Sequence, residues 1–493
     1  MMLRLQKTLN RFRESAPRRR SPAHAGPLTV LHDRQRGVPS SMQAGLARPV
    51  VLAGLAGLPG LPGRSSLPAS PMLTPPRRLF VQRRWSVLLL LLLWWTIFPT
   101  ALANPLPIPG AATTPGALAT LRVVPQPPSD ITASSYLLMD FDSGIPIAAL
   151  DPHVEREPAS LAKIMTAYVV FGEVQAGRAS LQEKVRISER AWRTGMTGGS
   201  RMFIQVGEEV TLEDLLRGMI IQSGNDAATA LAERVAGSEG AFVDLMNVQA
   251  RALGLRNSYF TNPHGLPGNE PQYTTAADMA LLARALIRDF PQLYGYYREK
   301  SFTFNNISQN NRNLLLWRDE SFDGLKTGWT STAGYNLVSS AKRNDRRLIA
   351  VVMGIDAPDH ARGGTIRANE SQSLINWGLR FFASDRLYDA NEVLQVARVY
   401  QGEQKQVSLG ILEPFWVVFP QGQREQVQVE LRVREPFVAP LTAGEALGEV
   451  VATLRGEVVA RQPVVALESV DAGGIFRWLW DATILSIRGA WPW

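Results

Sequence analysis

Residues 335–355, YNLVSSAKRNDRRLIAVVMGI, carry two apolar runs on either side of the polar turn Arg343-Asn344-Asp345. Each run has the length and the Val, Ile and Leu content of a strand, so the segment reads as a strand pair. Far upstream, SSYLLMDFDSG (134–144) reads as a strand entering a turn at Asp142-Ser143-Gly144, and IPIAAL (145–150) as its return. The chain between these two regions changes period. Residues 160–172 are mostly apolar without strict alternation, as in a buried helix. Asp214, Leu215, Leu216, Met219 and Ile220 mark an amphipathic helix, 275–288 a third, and 367–383 return to helical spacing. Strands at both ends with helices between them predict an α+β domain over about 134–384.

Working outward, QVQVELRVR alternates strictly, with Val427, Val429, Leu431 and Val433 on one face. Gly and Pro recur at short intervals around it, so 389–469 reads as a small all-β domain. The chain ends GGIFRWLWDATILSIRGAWPW (473–493). On a helical wheel Arg477, Asp481 and Arg488 fall within about 40° of one another and apolar residues cover most of the rest. The segment is too short and too charged to span a bilayer, and its Trp content suits a helix lying in the membrane interface. The competing reading is a helix docked on the preceding domain.

On the other side, residues 104–133 are Pro-rich and read as an extended linker. Residues 72–103 look like a secretory signal: Arg77, Arg78, Arg83 and Arg84 precede an apolar run from Val87 to Phe98 and the small-residue site Ala101-Leu102-Ala103. An uncleaved anchor would want about 20 apolar residues. Residues 1–71 read as a disordered extension or upstream sequence, with Met72 standing where a start codon would be.

Composition bounds the chemistry. The chain has 493 residues, 45% hydrophobic and 19% charged, with no cysteine, which excludes thiol catalysis, disulfides and any cysteine metal site. The five histidines, His24, His32, His153, His264 and His360, are too scattered to pair as zinc ligands, and no metal or cofactor is expected. The net charge of +8 resides in the leader: residues 1–103 hold 15 Lys/Arg against 2 acids, and the remainder is net acidic. A nucleic-acid partner is therefore not expected.

Ser160-Leu161-Ala162-Lys163 is the first candidate site. If Ser160 opens a helix, Lys163 lies one turn on and on the same side, so its amine reaches the hydroxyl. Such a Ser is nucleophilic only when a neighbour takes its proton, and a Lys does so only when burial or nearby cations lower its pKa. Alone the pattern is weak, because Ser339-Ser340-Ala341-Lys342 repeats it inside an expected strand, where positions three apart face opposite ways. Ser223-Gly224-Asn225 after an apolar helix and Lys326-Thr327-Gly328 opening a strand change the weight. Each alone is an ordinary turn or strand entry. Together and in this order they form the known serine acyl-transferase set of β-lactamases and penicillin-binding proteins.

With DPHVEREPASLAKIMTAYVV, LRGMIIQSGNDAATALAE, LMNVQARALGLRNSYFTNPHGL, NNRNLLLW, GLKTGWTSTAGYNLV and WGLRFF, the exported chain resembles the D-alanyl-D-alanine carboxypeptidases of the penicillin-binding protein 5 type. The resemblance implies a β-lactamase/transpeptidase-like catalytic domain at 134–384. It implies removal of the terminal D-alanine from peptidoglycan stem peptides ending in D-Ala-D-Ala, and acylation by β-lactam antibiotics. Ser160 would be the nucleophile, Lys163 the general base and Ser223 a proton relay. Asn225 would position the substrate amide and Lys163, and Lys326 would supply positive charge. Thr327 and Arg312 would hold the terminal carboxylate beside Gly328, and the backbone N–H groups of Ser160 and Trp329 would form the oxyanion hole. The expected location is the periplasmic face of the inner membrane, held through 473–493.

Lys is scarce, seven against 45 Arg, yet both motif positions use it. Arg could not serve as the base at 163 because it stays protonated. One departure stands out: close relatives commonly carry His after Lys-Thr-Gly, and here it is Trp329. His264 reads as structural. A class A β-lactamase would need a Glu in the region ALGLRNSYFTNPHGL, which has none. A DD-endopeptidase acting on cross-links would use the same residues, and a non-catalytic wall-binding protein would not need them intact.

Overall fold

The structure is a computed structural model that describes residues 125–197 and 199–490. The expected extension at 1–71, the signal at 72–103 and most of the linker at 104–133 lie outside the described residues, as does the side chain of Arg488.

An antiparallel five-stranded sheet organises the first part, in the spatial order Pro146–Leu150, Ser135–Asp140, Arg346–Ile355, Gly334–Arg343, Phe322–Thr330. The N-terminal hairpin thus lies beside strands from the far end of the domain. Both faces of the sheet are covered, which explains why RRLIAVVMGI shows no polar alternation. Ile349, Val351 and Met353 pack into a core built from the helices Ala162–Gln175, Leu212–Ile221, Asn225–Ala236, Glu239–Ala252 and Ala276–Asp289. Leu348, Ala350 and Val352 face the other way, toward the helix His360–Phe381. That helix lies close on the sheet at Gly378, where an added Cβ would come within 2.7 Å of Leu138. It covers more than the expected 367–383 because Asp359 caps its first turn, accepting from Arg362 N.

From Phe382 up to the terminal helix the regular elements are strands, apart from one 3-10 turn at Arg424–Gln426. Phe382–Tyr388 pairs with Phe415–Pro420, and six further strands run Val427–Val433, Ala446–Leu454, Glu457–Ala466, Gln406–Gly410, Val393–Tyr400, Phe437–Val438. The alternating QVQVELRVR is an edge strand, so its apolar face is only half covered.

The terminal helix, Ile475–Ala490, turns its polar stripe inward. Asp481 is buried, accepting from Gln401 N at 2.6 Å, and Arg477 donates to Glu403 O at 3.0 Å. The apolar face is left outward, with Phe476 86% and Trp480 70% exposed. Among the described residues no helix is long and apolar enough to cross a membrane.

Candidate active site

The three motifs meet between the helical core and the edge strand Phe322–Thr330. Ser160 lies in a single 3-10 turn, Ala159–Leu161, that leads into the helix Ala162–Gln175. Ala159 takes a φ of 47°, a left-handed conformation that costs a residue with a side chain about 1–3 kcal/mol. Two glycines press on this turn. A Cβ at Gly265, itself at φ +83°, would lie 1.8 Å from Ala159 O, and one at Gly328 would lie 3.1 Å from Pro158 O. Ser160 stays half-buried while Ala159, Leu161 and Ala162 are buried.

Lys163 is 1% exposed. Its Nζ lies 3.0 Å from Ser160 Oγ, 2.7 Å from Asn225 Oδ1 and 2.5 Å from the carbonyl oxygen of His264. Burial, followed by the charge of Arg312, lowers its pKa to about 7, against an opposing pull from Asp226. The His264 carbonyl is held rigidly: Asn262 Oδ1 accepts from Gly265 N at 2.6 Å, and Thr166 Oγ1 donates to Pro263 O at 2.6 Å. The His264 ring is buried. Burial, then the charges of Lys163 and Arg190, lower its pKa to about 3, and its Nδ1 accepts from Leu266 N.

Ser223 is buried at a φ of 63°, and its Oγ has no hydrogen-bond partner among the described residues. An unsatisfied buried hydroxyl is costly, which is the pattern of a site kept ready for another molecule. Asn225 begins the next helix and donates its backbone N–H to Ser200 O at 2.8 Å. Asp226 anchors the segment ahead of it, accepting from Met202 N at 2.8 Å and Phe203 N at 3.0 Å. Burial raises the Asp226 pKa and these N–H groups lower it.

Lys-Thr-Gly does not open its strand. The strand begins at Phe322, where Phe322 N bonds Asp319 O, so Lys326 stands at its middle. Lys326 is buried and donates to Thr327 O at 3.0 Å. Burial and then the charges of Lys163, Arg312 and Arg367 push its pKa well below the usual lysine range. Arg312 Nη1 donates to Ser200 Oγ at 2.5 Å. Arg367, which sequence reasoning passed over, is buried on the His360–Phe381 helix and donates to Gly328 O at 3.2 Å. Burial and Arg312 lower its pKa to about 10. Four basic side chains therefore lie close enough to act on one another, and the charge kept by the two arginines gives a field that favours an anionic ligand. Trp329 projects from the strand, its ring 4.3 Å from His360 and 5.8 Å from Tyr335. The second Ser-x-x-K lies in the strand Gly334–Arg343 with Ser339 and Ser340 buried and Lys342 at the surface, apart from one another. Among the described residues no group of His, Asp or Glu is placed to hold a metal ion.

A serine hydroxyl against a buried, titratable lysine, with Ser-Gly-Asn and Lys-Thr-Gly around it on this α+β frame, defines the class of serine acyl-transfer enzymes. Residues 122–357 match the D-alanyl-D-alanine carboxypeptidase family, and 382–472 match the penicillin-binding protein 5 C-terminal domain. The chain is 42% identical over 387 residues to D-alanyl-D-alanine carboxypeptidase DacC of Escherichia coli, covering 76% of this chain and 94% of that one. It is 42% identical over 366 residues to DacA of Haemophilus influenzae, covering 73% and 91%. The solved structure of penicillin binding protein 5 from Haemophilus influenzae superposes with a TM-score of 0.65 at 40% identity, covering 70% of this chain and 99% of that one. The chain belongs to the D-alanyl-D-alanine carboxypeptidase family and is a hydrolase of the serine-peptidase type.

Proposed function

We propose that Ser160 is the nucleophile that removes the terminal D-alanine from peptidoglycan stem peptides, and that Lys163 is its base. The observation that carries this reading is the set of three contacts at Lys163 Nζ. A neutral amine has two N–H groups and one lone pair. The Asn225 and His264 oxygens accept only, so they take the two N–H groups and leave the lone pair toward Ser160 Oγ. The hydroxyl proton then passes to Lys163 as Oγ attacks the carbonyl carbon. The N–H groups of Ser160 and Trp329 receive the oxyanion. When the C–N bond breaks, the proton passes by way of Ser223 to the departing amine of D-alanine. Water attacks the acyl-enzyme with Lys163 again as base, and the proton passes from Lys163 to Ser160 Oγ as the acyl C–Oγ bond breaks. Thr327, Arg367 and Arg312 hold the terminal carboxylate, and Lys326 adds positive charge.

β-Lactams acylate the same Ser160, in keeping with the relative solved as penicillin binding protein 5. The leader at 72–103 exports the chain, and the helix Ile475–Ala490 rests on the outer face of the inner membrane. Its outward Phe476, Leu479 and Trp480 with an inward Asp481 support that placement. Intact-mass spectrometry after benzylpenicillin tests the nucleophile. One covalent adduct is expected on the unsubstituted chain and none on Ser160→Ala; an adduct retained by the alanine variant overturns the assignment.

A further inference from the structure

We propose that the Trp329 side chain determines which leaving group the site accepts, restricting it to a single small D-amino acid with a free carboxylate. The inference rests on the carboxypeptidase reading above and adds a role to a residue whose backbone alone has entered the mechanism.

Alternation along the edge strand sets the geometry. Gly328 faces the nucleophile turn, since a Cβ there would meet Pro158 O and Ala159 Cβ. Thr327 and Trp329 therefore point to the opposite face. Their cross-strand partners agree: Thr327 pairs with Leu337 and Trp329 with Tyr335, and both partners belong to the core on the side of the His360–Phe381 helix. Arg367 reaches Gly328 O from that same helix. Two of the three groups that hold the terminal carboxylate, Thr327 and Arg367, thus share a face with the indole. Side chains two residues apart on one strand are rooted about 7 Å from each other, which is within the length of one amino acid beyond the carboxylate.

The indole is braced. The His360 ring stands at 83° to it with centroids 4.3 Å apart, and Tyr335 lies at 5.8 Å. Tyr335 Oη and His360 Nδ1 are 3.1 Å apart, tying the two braces together. Tyr335 is itself seated on Gly363, where an added Cβ would come within 2.4 Å of its ring. Trp329 nonetheless remains 43% exposed. A rigid, apolar, partly open ring beside the carboxylate holders forms a wall. An alanine methyl group passes it, whereas a branched side chain, or a second peptide continuing from the leaving residue, meets it. His360 acts as a positioning residue for that wall.

The test compares kcat/KM for diacetyl-Lys-D-Ala-D-Ala with that for the same tripeptide ending in D-Leu, using the full chain and its Trp329→Ala, Trp329→Phe and His360→Ala variants. A few extra methylenes against a wall are worth about tenfold or more in discrimination. Trp329→Ala is expected to lower the D-Ala over D-Leu ratio by about tenfold, with Trp329→Phe and His360→Ala shifting it less in the same direction. Each variant should still take up one benzylpenicillin, which separates a changed wall from a misfolded site. An unchanged ratio in Trp329→Ala, with both substrates losing activity together, overturns the proposal while leaving the carboxypeptidase reading intact. Absence of D-Ala release by the unsubstituted chain overturns both.

Discussion

The amine of Lys163 is buried between the Ser160 hydroxyl and two oxygens that can only accept, and its chemistry is set by what it cannot keep there. Burial and the Arg312 charge both penalise the ammonium form, so the proton leaves near pH 7 rather than in the usual lysine range. The proposed base acts in its deprotonated form, so kcat/KM should rise through about pH 7 to a plateau, falling about tenfold per unit on the acid side. Arg312→Gln removes a charge that lowers this pKa, and the limb should move to higher pH; a limb that stays in place would detach Arg312 from the base. Lys163→Arg keeps the charge but cannot release the proton, and should cost at least about 10²-fold in D-alanine release. The closeness of Ser160 and Lys163 was legible from sequence because one helical turn joins them. The His264 carbonyl was not, since a backbone oxygen has no side-chain signature. Arg367 was not either, being one of 45 arginines brought to the site by the His360–Phe381 helix.

At the scale of elements, the nucleophile turn is shaped by its neighbours. Gly265 combines a left-handed φ with a Cβ position 1.8 Å from Ala159 O, a distance no side chain can occupy. Gly265→Ala should therefore lower stability by more than about 2 kcal/mol and slow penicillin acylation, read by thermal unfolding and adduct formation. Asp226 does similar work from the other side: its carboxylate ties Met202 and Phe203 to the start of the Asn225–Ala236 helix. Asp226→Leu leaves those N–H groups without acceptors and should cost roughly 1–3 kcal/mol for each one buried. The hairpin at 335–355 was readable as strands, but its two-sided burial was not, because residues that alternate between two apolar cores look the same in sequence. Lys326 showed a similar limit: the motif marked a strand, and only the turn at Asp319 revealed where that strand starts.

Across the whole molecule, a catalytic domain, a strand-rich module and a terminal helix follow one another, and the helix links the last two ideas. Its polar residues are used against the strand module through Asp481 and Arg477, which leaves the apolar residues facing outward. The docked-helix reading of this segment describes its polar face, and the proposed membrane contact falls to the apolar one. Removal of 473–493 should abolish sedimentation with phospholipid vesicles and leave D-alanine release unchanged; retention on vesicles would place the attachment elsewhere. The most direct measurement of the central claim is D-alanine release from diacetyl-Lys-D-Ala-D-Ala by the purified chain beside Ser160→Ala. Release by the unsubstituted chain that is lost in the variant is the predicted result, whereas no release from either, or equal release from both, would contradict it.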